Sequence, residues 1–438
     1  MTDSRARAYQ MPLVIALIGW TLLCILLPGL YLKSLLGQSY SLVVSPAQSP
    51  LETPIHRSIL SPKALITSPH PLVKTLYELL AHAAREFPAK HIFGARSVIR
   101  VVEESKQVSK TVGGETKQET KVWKFFELGS YEWFTYAQVL QKTRAIGAGL
   151  RHLGLVPKDK VTLFASTSRD WMTMAHGCFT QNLTITTAYD TLGEDGLSFS
   201  VNECQVSTLF TQSDLLPMVK RILPLCSTLK RVIYAPSLAG LSDQDTLDFV
   251  AEIKGAFPEI VVLSFQELVR IGESHPCEPT PPTPEDLCCV MVIFVKLFST
   301  TQYTSGSTGN PKGVMLSHGN IVAAVGGATK LITIEAIGDT MLSYLPLAHI
   351  LEFLVESYCI FMGVKIGYGS VRTLTDASVR NCKGDIGELK PTSMAGVPAV
   401  WETYCLFASL TIAFARASLQ NCIKRNLHKN ASLISPFL

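Results

Sequence analysis

From Lys160 onward, apolar positions alternate between two periods. Lys160–Ala165, Leu183–Thr187, Ser207–Thr211, Lys230–Ala235 and Glu259–Leu263 are short runs with β-branched and other apolar residues. Between them, Arg169–Phe179, Gly193–Glu203, Asp214–Leu223 and Gln244–Ala256 repeat apolar residues at the spacing of one helix face. Strands and helices in alternation predict an α/β fold, a mostly parallel sheet with helices on both faces. Upstream, Leu72–Phe87 predicts an amphipathic helix that ends before Pro88. Ser97–Val102 and Lys121–Leu128 read as strands, joined through a polar hairpin-like region around Gly113 and Gly114. Thr135–Leu153 predicts a second helix, closed by Gly154. Gln38–Pro71, rich in Ser, Pro and Thr, reads as a linker, and proline-rich Cys277–Pro284 as a connector.

The amino-terminal pattern is different. No charged residue occurs from Ala8 to Leu32; Arg5 and Arg7 precede the stretch and Lys33 follows it. A helix crossing a bilayer core of about 30 Å needs about 20 apolar residues, so the stretch is long enough. A cleaved leader would have an apolar run of about 7–15 residues and a small-residue cleavage site close behind, which is not the pattern here. Residues 1–33 are therefore expected to form a retained membrane helix. The preceding arginines favour a cytosolic amino terminus, which would carry the rest of the chain across the membrane; a segment that dips into one leaflet and returns would leave it in the cytosol. Asn182 and Asn430 sit in glycosylation sequons, which have no meaning on a cytosolic domain.

Composition narrows the class. Of 438 residues 47% are hydrophobic and 17% charged, ample for a large core. The formal net charge of +4 is dispersed along the chain, which argues against nucleic acid as a partner. The 11 cysteines form no CxxC pair and read as reduced thiols, with Cys288 and Cys289 as buried strand residues.

The strongest chemical signal is Tyr303-Thr-Ser-Gly-Ser-Thr-Gly-Asn-Pro-Lys-Gly313. Glycines let backbone N–H groups approach phosphate oxygens, hydroxyls add donors, and Lys312 brings a positive charge. The spacing is not that of a Walker A loop, because Pro311 stands where its second glycine belongs and Gly313 follows the lysine.

This stretch resembles the phosphate-loop signature of the adenylate-forming superfamily. Tyr344-Leu-Pro-Leu-Ala-His-Ile-Leu-Glu352 and Leu389-Lys-Pro-Thr-Ser-Met-Ala-Gly-Val-Pro-Ala-Val-Trp401 are similar to segments of its long-chain acyl-CoA synthetases. So are Ser166-Thr-Ser-Arg-Asp-Trp171 and Thr187-Ala-Tyr-Asp-Thr-Leu-Gly193. The resemblance covers about Leu72 to Thr403 and implies a large amino-terminal adenylate-forming domain with mostly parallel sheets. It also implies two steps: a fatty-acid carboxylate attacks the α-phosphate of ATP, then the CoA thiol displaces AMP. Long-chain fatty acid, ATP and CoA would be the substrates, with Mg²⁺ on the phosphates. Thr304, Ser305, Gly306, Ser307, Thr308, Gly309 and Lys312 would hold the β- and γ-phosphates. His349 would sit near the adenylate and the mouth of the acyl tunnel; a purely structural histidine is the competing reading. Glu352 either pairs with a basic group or faces solvent. Arg169, Asp170, Trp171 and Trp401 read as packing and capping residues. The expected location is a membrane of the endoplasmic reticulum, lipid droplet or peroxisome, with the catalytic domain facing the cytosol.

Two departures from the family pattern stand out. Val292–Gln302 intervenes between an apolar strand and the loop that normally follows it directly. It reads as an in-frame unspliced intron; alternatively it supplies the strand itself, leaving Leu287–Met291 as a loop. After Thr403 the chain stops resembling the family, so 72–403 reads as an incomplete catalytic domain and 404–438 as a tail outside the pattern. The segments for the magnesium-binding glutamate, the ribose-binding aspartate and the mobile carboxyl-terminal domain are not found. The 438-residue product alone is then expected to form no acyl-CoA. A membrane-bound, non-catalytic fatty-acid-binding protein is the alternative of a different class.

Overall fold

The computed structural model describes residues 41–112, 115–237, 242–293, 312–332 and 338–396. They fall into two units, Met1–Ile66 and Thr67–Leu438. In the first, β1 (Ser41–Ser45) pairs antiparallel with β2 (Ile55–Ser58). The Ser/Pro/Thr-rich stretch read as a linker therefore contains a hairpin, in which the apolar run Leu42–Val44 of β1 interrupts the polar composition. The Ala8–Leu32 segment lies outside the described residues, as does the tail after 396. Among the described residues no helix is long and apolar enough to cross a membrane.

The second unit runs in chain order α1 (Leu76–Glu86), β3 (His91–Val112), β4 (Glu115–Thr135), α2 (Tyr136–His152), β5 (Lys160–Phe164), α3 (Arg169–Phe179), β6 (Thr184–Ala188) and α4 (Glu194–Glu203). It continues through β7 (Thr208–Gln212), α5 (Leu216–Ile222), β8 (Arg231–Ala235), α6 (Asp243–Ala256), β9 (Val261–Ser264), α7 (Phe265–Ser274), β10 (Leu287–Ile293) and β11 (Lys312–Ser317). Last come α8 (His318–Leu331), β12 (Thr340–Ser343), α9 (Ile350–Met362), β13 (Lys365–Tyr368), α10 (Asp385–Leu389) and β14 (Ser393–Met394). One sheet has the order β11-β10-β6-β5-β7-β8-β9 and the other β14-β12-β13-β3-β4. Each is parallel except at one edge, where β10 meets β11 and β3 meets β4 in antiparallel register.

Local chemistry explains the boundaries. Thr75, Thr135, Ser264 and Ser317 each cap a helix, in boxes completed by Glu78, Gln138, Glu267 and Asn320. The expected helices before Pro88 and Gly154 are present, and Gly154 takes the left-handed φ of +86° that a helix exit favours. The expected strands at Ser97–Val102 and Lys121–Leu128 are the middles of a longer hairpin arm, β3–β4. Leu287–Met291 is strand rather than loop: β10 includes it and continues through Val292 and Ile293, which register with Gly313 and Lys312. Cys288 and Cys289 are fully buried in that strand. Asn182 is also buried, and its amide nitrogen donates to Asp286 Oδ2 at 3.1 Å, which occupies the sequon side chain.

The core is held by large side chains and by close helix contacts. Trp171 of α3 meets Phe353 of α9 edge-on, with ring centres 6.1 Å apart and both side chains fully buried. Helices α2 and α7 approach through glycine; a Cβ on Gly272 would lie 1.7 Å from the Ala145 carbonyl oxygen. Gly272→Ala is therefore expected to destabilise the chain by about 1–3 kcal/mol or more. Gly255→Ala, on a helix with nothing within 4 Å of the new methyl, should be neutral or slightly stabilising. Chemical denaturation of both variants checks this; equal stabilities would contradict the packing described.

Candidate functional site

Parallel strands direct all their carboxyl ends to one edge, and a ligand crevice opens there where the strand order reverses. Here the reversal occurs around β5: the chain passes to β6 on one side and then to β7 on the other. Three polar side chains meet just beyond. Gln212, the last residue of β7, accepts from the Ser166 backbone N–H at 3.0 Å. Ser166 Oγ donates to Asp190 Oδ2 at 2.5 Å. Ser166 follows β5 and Asp190 follows β6, so one hydrogen-bonded set joins three adjacent strand ends.

The second sheet delivers its own turn to this edge. Thr167 Oγ1 donates to the Leu345 carbonyl at 2.6 Å and accepts from Leu347 N–H at 2.8 Å. Thr187 Oγ1, in β6, donates to the Ala348 carbonyl at 3.1 Å. Residues 166–171, 187–193 and 344–352, which the sequence singled out separately, are thus brought together by side-chain hydroxyls on turn backbone. Ser168 caps α3 by accepting from Trp171 N–H, which sends Trp171 into the core and leaves Arg169 stacked over the Phe134 ring at 4.2 Å. These residues pack and cap, as the sequence suggested.

His349 is exposed at the end of the turn and caps α9, its Nδ1 accepting from Leu351 N–H at 3.1 Å. Glu352 neither pairs with a basic group nor faces solvent. It is 1% exposed, and its Oε1 lies 2.7 Å from Ser343 Oγ. Ser343 also contacts the fully buried Glu356, whose Oε2 accepts from the Tyr368 hydroxyl at 2.6 Å. Burial pushes the Glu352 carboxyl up to about 7. Burial first, and then the Glu352 charge, holds Glu356 well above the usual carboxylate range.

Thr304, Ser305, Gly306, Ser307, Thr308 and Gly309 lie outside the described residues, as does Trp401. The strands on either side of the glycine-rich stretch are described. β10 runs parallel to β6, so the chain leaves it at the same carboxyl edge and returns through Lys312, the first residue of β11. The roles of Ser166, Asp190, Gln212 and Thr167 were not assigned from sequence. Their signal was a polar residue at or just past the carboxyl end of an apolar strand.

Comparison with known proteins places this geometry. Residues 112–426 match the family model described as AMP-binding enzyme. Long-chain-fatty-acid–CoA ligase 2 of Schizosaccharomyces pombe is 38% identical over 364 residues, which is 83% of this chain and 50% of that protein. The chain spans about half the length of the curated relatives it matches. Among solved structures, the adenylation domain of a Mycobacterium chelonae carboxylate reductase aligns with TM-score 0.59 at 18% identity, over 77% of this chain and 49% of that one. A long-chain-fatty-acid-CoA ligase from Archaeoglobus fulgidus aligns with TM-score 0.53 at 18% identity, over 78% and 55%. At that identity the two structures speak for the fold alone.

The raised carboxyl sets a pH dependence. A carboxyl with a folded-state value above its unfolded one keeps a proton that the unfolded chain gives up, so stability falls as pH rises through the interval between the two. The melting temperature is expected to drop between the ordinary glutamate value of 4.5 and about 7. Glu352→Gln should flatten that slope. A wild-type profile level across the interval would contradict the burial described.

Proposed function

Because the chain belongs to the AMP-binding enzyme family, we propose that it serves the ATP-dependent activation of long-chain fatty acids to acyl-CoA through an acyl-adenylate. The observation that supports this most is positional. β10 ends at the carboxyl edge where Ser166, Asp190, Gln212 and the 344–349 turn converge, and the sequence between it and β11 contains Tyr303–Pro311. The relatives' names supply the substrate class: the fission-yeast protein is a long-chain-fatty-acid–CoA ligase.

The chemistry requires a weak nucleophile, a carboxylate, to approach a polyanion. Screening charge and holding the two in line supply most of what catalysis needs. Thr304, Ser305, Gly306, Ser307, Thr308 and Gly309 would cradle the β- and γ-phosphates, with Lys312 countering the charge of the departing pyrophosphate. Mg²⁺ takes hard oxygen ligands, usually substrate phosphates with few protein groups, and the hydroxyl-rich loop is of that donor type. When bound, it would neutralise phosphate charge. The fatty-acid carboxylate attacks the α-phosphorus, the bond to pyrophosphate breaks, and the CoA thiolate then displaces AMP from the acyl carbon. His349, exposed at the mouth of the turn, would face the acyl and adenylate groups.

The membrane reading completes the proposal. Ala8–Leu32 would hold the chain at the membrane of the endoplasmic reticulum, lipid droplet or peroxisome, with residues 72–403 on the cytosolic side where ATP and CoA are. No observation above favours a non-catalytic fatty-acid-binding protein over the ligase.

The full-length gene product is expected to exchange pyrophosphate into ATP in a fatty-acid-dependent manner. Lys312→Ala should lower that exchange about 100-fold or more, the usual scale for losing a preorganised electrostatic group. Exchange that is undiminished in Lys312→Ala, or that needs no fatty acid, would overturn the assignment.

A further inference from the structure

Counting hydrogens beneath the 344–349 turn leads to a result that its distances alone do not state. Ser343 Oγ is within hydrogen-bond reach of both Glu352 Oε1 and Glu356 Oε1. A serine hydroxyl has one hydrogen, and an ionised carboxylate can only accept. Two ionised carboxylates would therefore leave one of these contacts as oxygen against oxygen with no hydrogen between them. Tyr368 brings one more hydrogen, and it is already directed at Glu356 Oε2. The remaining hydrogen must come from a carboxyl that donates to Ser343. The atoms concerned are walled off from water: Ser343 and Glu356 are fully buried, and Glu352 nearly so.

Among the described residues, no cation contacts either carboxyl to offset a second negative charge. Among the described residues, the titratable groups that act on the cluster are Tyr368 from β13 and Cys359 from the same helix; Asp339, ahead of β12, acts on Cys359, and Arg169 from α3 acts on Tyr368. Among the described residues Glu352 Oε2 has no hydrogen-bond partner. Like charges this close, in a site this dry, cannot both ionise cheaply.

The placement of the four residues gives the cluster a task. Ser343 ends β12, Tyr368 ends β13, and Glu352 and Glu356 occupy successive turns at the start of α9. Ser343 and Glu352 therefore flank the turn and close its base, while Thr167 and Thr187 hold its far side.

We propose that Glu352 and Glu356 hold one proton between them through Ser343, and that this protonated pair is the positioning device that fixes the 344–349 turn at the carboxyl edge. The upward displacement of both carboxyls agrees with it. The proton sharing stands whatever the enzyme acts on; only its consequence for catalysis rests on the function proposed above.

The test uses the 438-residue chain. Infrared difference spectra near neutral pH between wild type and the Glu352→Gln/Glu356→Gln double variant should show a buried carboxylic-acid C=O band in wild type only. Hydrogen exchange of the 344–349 amides supplies the positioning readout. A glutamine amide can donate to Ser343 as a protonated carboxyl does, so the double variant and each single glutamine variant should keep wild-type protection. Glu352→Ala and Ser343→Ala should lose about tenfold, the scale of one net hydrogen bond. On raising the pH until the acid band disappears, wild-type protection should fall, after correction for intrinsic exchange, while the double variant's should not. Absence of an acid band in wild type, its survival in the double variant, a glutamine variant that fails to fold, or protection indifferent to loss of the band would each overturn the proposal. Absence of fatty-acid-dependent pyrophosphate exchange in the full-length gene product, with the band and protection intact in the 438-residue chain, would count against the function and leave the proton sharing standing.

Discussion

One hydroxyl joins the two sheets where their functional ends meet. Thr167 Oγ1 gives its hydrogen to the Leu345 carbonyl and takes one from Leu347 N–H, so it satisfies two backbone groups of a turn that has no strand partner of its own. A buried backbone group left unpaired costs about as much as a lost hydrogen bond, and this threonine prevents two such losses. Because Thr167 follows β5 directly, the turn from the second sheet is fixed against the strand around which the first sheet reverses. Thr187 adds a second tie from β6. Moving either sheet would break bonds to the other, and the turn keeps its place against β5 and β6 for that reason.

The turn is stiff on its other side for a different reason. A helix begins immediately after it, and His349 caps that helix rather than swinging free. Two turns of the helix then bury carboxyls against Ser343 and Tyr368. Polar groups at this depth are tolerated only when their hydrogens are all accounted for, and a nearly complete network specifies one geometry where apolar packing would permit several. The protein thus uses threonine hydroxyls toward the crevice and a carboxyl pair beneath it to hold a six-residue backbone segment, 344–349, in place.

Much of this was legible in the chain. The alternation of strand and helix from Lys160 to Leu263 marked the parallel sheet, and Gly154, Pro88 and Thr135 marked helix ends through backbone constraints that act locally. The glycine- and hydroxyl-rich run stood out by composition, but it lies outside the described residues. What was missed had either a short local signal or partners distant in the chain. Helix Phe265–Ser274 had its signal in Ser264 and Glu267, a capping box beside a strand already assigned. The β1–β2 hairpin lay in a stretch whose proline and serine content suggested irregularity. Glu352 read as paired with a basic group or facing solvent, and Glu356 was not singled out, because their burial depends on Ser343 and Tyr368 from other strands. Gln212 gave no sign that it would reach Ser166, since only strand order makes them neighbours.

The central proposal is that this carboxyl edge is a nucleotide site to which both sheets and the glycine-rich run would contribute. Hydrogen–deuterium exchange of the protein with and without ATP tests it most directly. The account predicts that protection rises together in 303–313, 166–170, 187–190 and 344–349. ATP binding that protects other segments and leaves these four unchanged would contradict it.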